Sequence, residues 1–305
     1  MLETALFLNA PYNRFKDFIS PEANRFDVLC SIFDECLLPW EVLEIEGKRH
    51  IAVPAGLSVG RINSRFTQES RYPQGSLTEG LIFTAHYDRV PQSPGANDNS
   101  AAVFQLLETA TRIAARGSTG RPVLFIFTDG EELAAGQSLK RQGSYSLGLY
   151  LKKNGLGNSH IFTFDASGTG DTLIISTAAD HLLKNETSAG AEAARRNVQL
   201  LRQKALAAAR TARLEKTLLL PTPFSEDAGF LLAGMAAQTI TTLPQNEASL
   251  VRGDAAFLRK TALQNTDRRL VPETWRILNG PGDSPLRLTP EHWKKVSAFA
   301  EALTE

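Results

Sequence analysis

LIFTAHYDRVPQSPGANDN, residues Leu81 to Asn99, is the stretch on which the reading of this chain turns. An apolar run of strand length ends on His86-Tyr87-Asp88. A loop with two prolines and a glycine follows, and Asp98 stands at the start of the next helical pattern. Open α/β sheets collect ligands at the carboxyl ends of their strands. A strand that ends on an imidazole and a carboxylate, with a second carboxylate at a helix start, can present metal ligands at that rim.

Two further strands end in the same way. Pro122 to Thr128, PVLFIFT, is continuously apolar, as a central strand buried on both faces must be, and runs into Asp129-Gly130-Glu131-Glu132. His160 to Phe164 ends on Asp165. Taken singly these fragments are weak, because an Asp after a strand is most often a turn residue or a helix cap. Their placement after successive strands gives them weight, since a sheet would bring the three ends together.

The surrounding chain alternates strand and helix patterns. Ser20-Pro21-Glu22 predicts a helix start, with Phe26, Leu29, Ile32, Phe33, Cys36 and Leu37 on its core face. Val42 to Val53 predicts a hairpin turning near Gly47-Lys48, and His50 on its second arm reads as a strand residue rather than a ligand. Residues 60–80 are polar and irregular, as in a surface loop. Ser100 to Arg116 is helical in period, as is the Ala- and Arg-rich stretch 187–215, whose basic residues read as a solvated face. Short strands at Leu173–Ser176, Thr217–Leu220 and Gln238–Leu243 are separated by a helix near Asp227–Ala233. A closing helix starts at Thr289-Pro290-Glu291. The alternation predicts a single α/β domain over residues 1–305: a three-layer α/β/α sandwich with a mostly parallel central mixed sheet. Residues 1–40 form its N-terminal helical segment.

Composition narrows the function classes. Of 305 residues, 33 are basic and 33 acidic, which gives no case for a nucleic-acid or membrane-surface partner. Cys30 and Cys36 form no CxxC pattern and read as free thiols. The N-terminus lacks a basic region followed by an apolar core, and no run approaches the roughly 20 apolar residues of a membrane span, so a soluble cytoplasmic protein is expected.

HYDRVPQSPGANDNSAAV resembles the His-x-Asp and Gly-Ala-x-Asp-Asn segments of the co-catalytic zinc aminopeptidases, the relatives of bacterial leucyl aminopeptidase, aminopeptidase Y and glutamate carboxypeptidase. FTDGEELAAGQS resembles their strand ending in Glu-Glu, TFDASG their later Asp, and FSEDAGFLLAGMAA their late acidic segment. The resemblance is close over residues 80–170 and looser to residue 300. It implies a zinc-exopeptidase-like fold and a hydrolase that removes N-terminal residues from a peptide substrate. Its cofactor would be one or two divalent ions, zinc first, with manganese or cobalt as alternatives. It implies that His86 and Asp165 bind one ion, Glu132 the other, and that Asp98 bridges them. Asp88 would orient His86, and Glu131 would be the general base that takes a proton from water and passes it to the leaving amine. A non-proline cis peptide would follow Asp98.

One ligand departs from the pattern. The family's late histidine falls, in LNGPGDSPLRLTPEHW, on Asn279; a competing registration through LQNTDRR would place Gln264 there. An amide oxygen is a poorer zinc ligand than imidazole. The second ion is therefore expected to be weakened, and a glutaminyl cyclase, which shares the fold but uses the Asp–Glu–His set, is disfavoured. Two alternatives stand beside the active aminopeptidase: a catalytically impaired relative that binds peptides or amino acids, and an interaction scaffold that uses the 187–215 helix. Loops 60–80, 133–145 and 222–228 would wall the pocket, and Glu226 and Asp227 could either meet a substrate amine or begin a helix.

Overall fold

The computed structural model describes residues 12–55, 80–117, 122–134, 136–251 and 271–305. The 60–80 loop, apart from Gly80, and Gln264 lie outside them. In chain order the elements are α1 (Phe15–Ile19), α2 (Arg25–Glu35), β1 (Glu41–Ile45), β2 (Lys48–Ala55), β3 (Leu81–His86), α3 (Ala102–Arg116) and β4 (Val123–Thr128). Then come α4 (Gly143–Lys153), β5 (His160–Phe164), β6 (Thr172–Ser176), α5 (Ala178–Leu183), α6 (Ala189–Thr211) and β7 (Thr217–Leu220). The chain closes with α7 (Glu226–Leu232), β8 (Ala237–Leu243), α8 (Gln245–Ala248), α9 (Glu273–Ile277) and α10 (Pro290–Ala302).

Among the described residues, eight strands form one sheet in the order β1-β2-β4-β3-β5-β8-β6-β7. Its centre, β4-β3-β5-β8, is parallel, while β1, β2 and the β6–β8 pairing are antiparallel. Side chains alternate between its faces, as the two-residue period of a strand requires. Phe83, Phe125 and Phe162 pack with α1, α2, α3, α6 and α10 in one core. Ile82, Ile126 and Ile161 pack with α4 and α7 in another. This is the expected three-layer sandwich, and β3 and β4 are buried along their whole length. The β1–β2 hairpin turns on Glu46 (φ 50) and Gly47 (φ 76), both left-handed, which is the two-residue turn whose twist matches its strands.

Two local expectations are corrected. Ser20-Pro21 does not start a helix: Ala23 N–H donates to Ser20 O (3.0 Å), so the proline occupies a turn, and α2 begins after Asn24, whose side chain accepts from Asp27 N. Leu37 does not face the core but is 89% exposed, because the chain leaves α2 through a left-handed residue there (φ 54) and buries Leu38 instead. The helix expected from Ser100 does follow directly on Asp98 (φ −110, ψ 87) and Asn99 (φ −133, ψ 27), which lie outside helical geometry, and Ala101 is already right-handed (φ −59, ψ −50) on the way into α3.

Candidate metal centre

Strand β3 carries His86 to the sheet rim, fully buried. Its Nε2 lies 3.1 Å from Asp98 Oδ1 and 3.8 Å from Asp165 Oδ1, and its Nδ1 lies 3.4 Å from Asp88 Oδ1. Donor atoms of His86, Asp98 and Asp165 all fall within 4.8 Å of one another. The loop is threaded so as to deliver Asp98. The Asp283 carboxylate accepts from Asn97 N (2.8 Å) and Asp98 N (3.0 Å). The Asn99 amide spans the residues on either side of Asp165, donating to Phe164 O (2.8 Å) and accepting from Ala166 N (3.2 Å). The Asp98–Asn99 peptide bond is cis.

Asp88 also ties in the next strand end, accepting from Glu131 N (3.2 Å) and Glu132 N (3.0 Å). Glu131 is buried, and its Oε1 accepts from Gln142 Nε2 (2.9 Å). Ser144 Oγ in turn donates to Gln142 Oε1 (3.0 Å). His50 is buried, and its Nδ1 accepts from Asp129 N (3.2 Å), which steadies the same turn. Glu132 is half-buried and does not join the three converging donors. Asn279, also half-buried, sits on a left-handed turn (φ 63) in the segment whose Asp283 reaches the ligand loop.

Residues 70–219 match Peptidase family M28. That segment is just under half of the chain. A curated relative, the probable lipoprotein aminopeptidase LpqL of Mycobacterium tuberculosis, is 32% identical over 126 residues, 39% of this chain and 24% of that protein. Among solved structures, the fold is similar to the zinc aminopeptidase BSAP of Bacillus subtilis (TM-score 0.53, 19% identity, 84% of this chain and 49% of that one). It is also similar to the glutaminyl cyclase of Porphyromonas gingivalis (TM-score 0.59, 13% identity, 96% and 94%). The chain thus spans about a quarter of LpqL and about half of BSAP. At these identities the solved structures speak for the fold alone.

The donors of this chain fit a divalent ion. One imidazole nitrogen and two carboxylates are a set that zinc accepts. Neither His86 nitrogen makes a well-aligned hydrogen bond, although carboxylate oxygens stand 3.1–3.8 Å away. Burial works against charge on His86, but Asp165, Asp88 and Asp98 outweigh it and hold its pKa well above the ordinary value. Burial likewise works against ionised Asp88, yet His86 and the Glu132 and Glu131 amides keep it below its ordinary value.

Glu226 and Asp227 are not placed to meet a substrate amine: each is 1% exposed, in the layer below the rim. Glu226 accepts from the hydroxyls of Thr84 (3.1 Å) and Thr128, on adjacent strands. Burial pushes Glu226 and Asp227 each up to about 7 and Asp283 to about 6, with the Asp98 charge adding to the effect on Asp283. The sequence reading passed over Arg25, Asn99, Gln142 and the bonding role of Asp283. Arg25 did leave a signal, since it falls four residues before Leu29 on the apolar stripe of α2. Gln142 left none, because its partner is fixed by a turn and not by a period.

Proposed function

We propose that this chain is a metal-dependent aminopeptidase that cleaves the N-terminal residue from a peptide. In this reading His86 and Asp165 would hold one divalent ion, zinc first, Glu132 would hold a second, weakened by Asn279, and Asp98 would serve both. A bound zinc ion supplies Lewis acidity, polarising the scissile carbonyl and making water acidic near neutral pH. Asp88, facing His86 Nδ1, fixes the tautomer that leaves Nε2 free to ligate. Glu131 accepts the proton of the attacking water and returns it to the leaving amine. Gln142, bonded to one of its oxygens, fixes the carboxylate's orientation.

The observation that carries the proposal is the convergence of His86, Asp98 and Asp165 donors within 4.8 Å, beside the buried Glu131, on an M28 framework. Zinc is the ion named for BSAP. The free thiols of Cys30 and Cys36 agree with a reducing cytoplasm, which we keep as the proposed location. Among the described residues no helix is long and apolar enough to cross a membrane.

Hydrolysis of a panel of aminoacyl-anilides, with zinc, manganese or cobalt added, tests the reading. Wild type should cleave at least one of them. Glu131→Gln should lower kcat by about 10²–10⁴-fold with metal content unchanged. Asn279 favours a second reading, an impaired relative that binds peptides or amino acids. A wild type that binds metal and cleaves nothing in the panel would select it.

A further inference from the structure

Arg25 enters the metal centre from outside the family-matched segment. It lies on α2, whereas the match covers residues 70–219. Its guanidinium is buried (6% exposed), and it stands over the Phe18 ring, 4.7 Å from the centroid. Nη1 donates to Tyr87 O (3.1 Å) and Asp88 O (3.4 Å). Nη2 donates to Pro94 O (2.8 Å), Gly95 O (3.2 Å) and Ser100 Oγ (2.9 Å). These five acceptors run from the residue after His86 to the second residue after Asp98, so one side chain grips both ends of the loop that separates two proposed ligands.

The loop is shaped around this cation. Gly95 is left-handed (φ 58), and a Cβ there would lie 2.7 Å from Arg25 Nη2, so a side chain would displace the guanidinium. The grip is reciprocal. Arg89, on the loop, donates to Ile19 O (3.0 Å), Ser20 O (2.8 Å) and Pro21 O (2.9 Å) of the N-terminal segment, and also to Pro94 O (3.3 Å). Burial pulls the Arg25 pKa down to about 9, which leaves it charged at neutral pH among Asp88, Asp98 and Asp283.

We infer that Arg25 is a positioning residue for the metal centre: it fixes the 87–100 loop so that His86 and Asp98 meet at ligating distance, and thereby makes metal affinity depend on the docking of α2. Only a planar fork with several N–H groups at fixed angles reaches five acceptors on two sides of a loop. A lysine keeps the charge but offers three donors from one atom. This inference rests on the metal-binding reading proposed above.

The test is titration of metal-free protein with zinc in competition with a chromogenic chelator, with thermal unfolding followed in EDTA. Arg25→Lys should weaken the tight site by about 10–100-fold, the range for residues that orient metal ligands. Arg14→Ala, which removes an exposed ion pair with Glu35 at the far end of α2, should leave affinity within about 2-fold of wild type. A folded Arg25→Lys that binds zinc as wild type does overturns the inference and leaves the functional reading standing. If Arg25→Lys does not fold, Ser100→Ala decides, since it withdraws one acceptor and keeps the guanidinium. A several-fold loss supports the inference, and an unchanged affinity overturns it. A wild type that binds no zinc overturns the functional reading and this inference together.

Discussion

The two halves of the proposed centre are built differently. His86, Asp98 and Asp165 sit on or beside central parallel strands, and the backbone around them is held from several other elements by Arg25, Asn99 and Asp283. Glu132 and Asn279 sit in half-buried turns, and Asn279 stands where the family resemblance calls for an imidazole. A site whose ligands are pre-positioned by buried polar bonds loses little ordering entropy when an ion enters. A site on turns, with an amide for an imidazole, loses more and gains less. The proposal therefore expects one tight and one weak position.

Removing a ligand from each half should show the contrast most sharply. Asp165→Ala is expected to weaken the tight site by at least about 100-fold, beyond the roughly 10–100-fold of a residue that only supports a ligand. Glu132→Gln should abolish the weak site and leave the tight one within a few-fold. Equal losses in the two variants, by calorimetric titration, would mean that the halves are not distinct.

The layer beneath both halves gives an effect of intermediate size. Glu226 has an ordinary pKa of 4.5 and in the folded protein is held near 7, chiefly by burial. Between those values the folded chain binds more protons than the unfolded one, so stability falls as pH rises through the window. Glu226→Gln should flatten that fall, by on the order of 2–3 kcal/mol between pH 4.5 and 7, in urea unfolding of metal-free protein. An identical pH slope in the variant would remove Glu226 as its source.

Asn279→His should give the smallest change, tightening the second site by roughly 10-fold and leaving the first alone, because imidazole suits zinc better than an amide oxygen. No change at either site would mean that Asn279 does not face the second ion.

How much was legible in the sequence follows from which interactions are local. The apolar run PVLFIFT announced a central strand, and β4 is buried throughout. The hairpin expected to turn near Gly47-Lys48 does turn at Gly47, a residue that tolerates positive φ, with Glu46 as its other left-handed residue. His86, Asp98 and Asp165 could be suspected because each follows a strand or begins a helical pattern, and the parallel order β4-β3-β5 brings those ends together. Arg25, Gln142 and Asp283 act across 62 or more, 11 and 185 or more residues of sequence, and no period links them to their partners. Leu37 was misplaced because one left-handed residue at a helix end outweighs the helical period.

The central claim, a well-built first position beside a weaker second one, is tested most directly by titrating metal-free wild type with zinc against a competing chelator. Stepwise binding of one tight ion and one markedly weaker ion per chain is the predicted result. Two ions of equal affinity, or none, would contradict it.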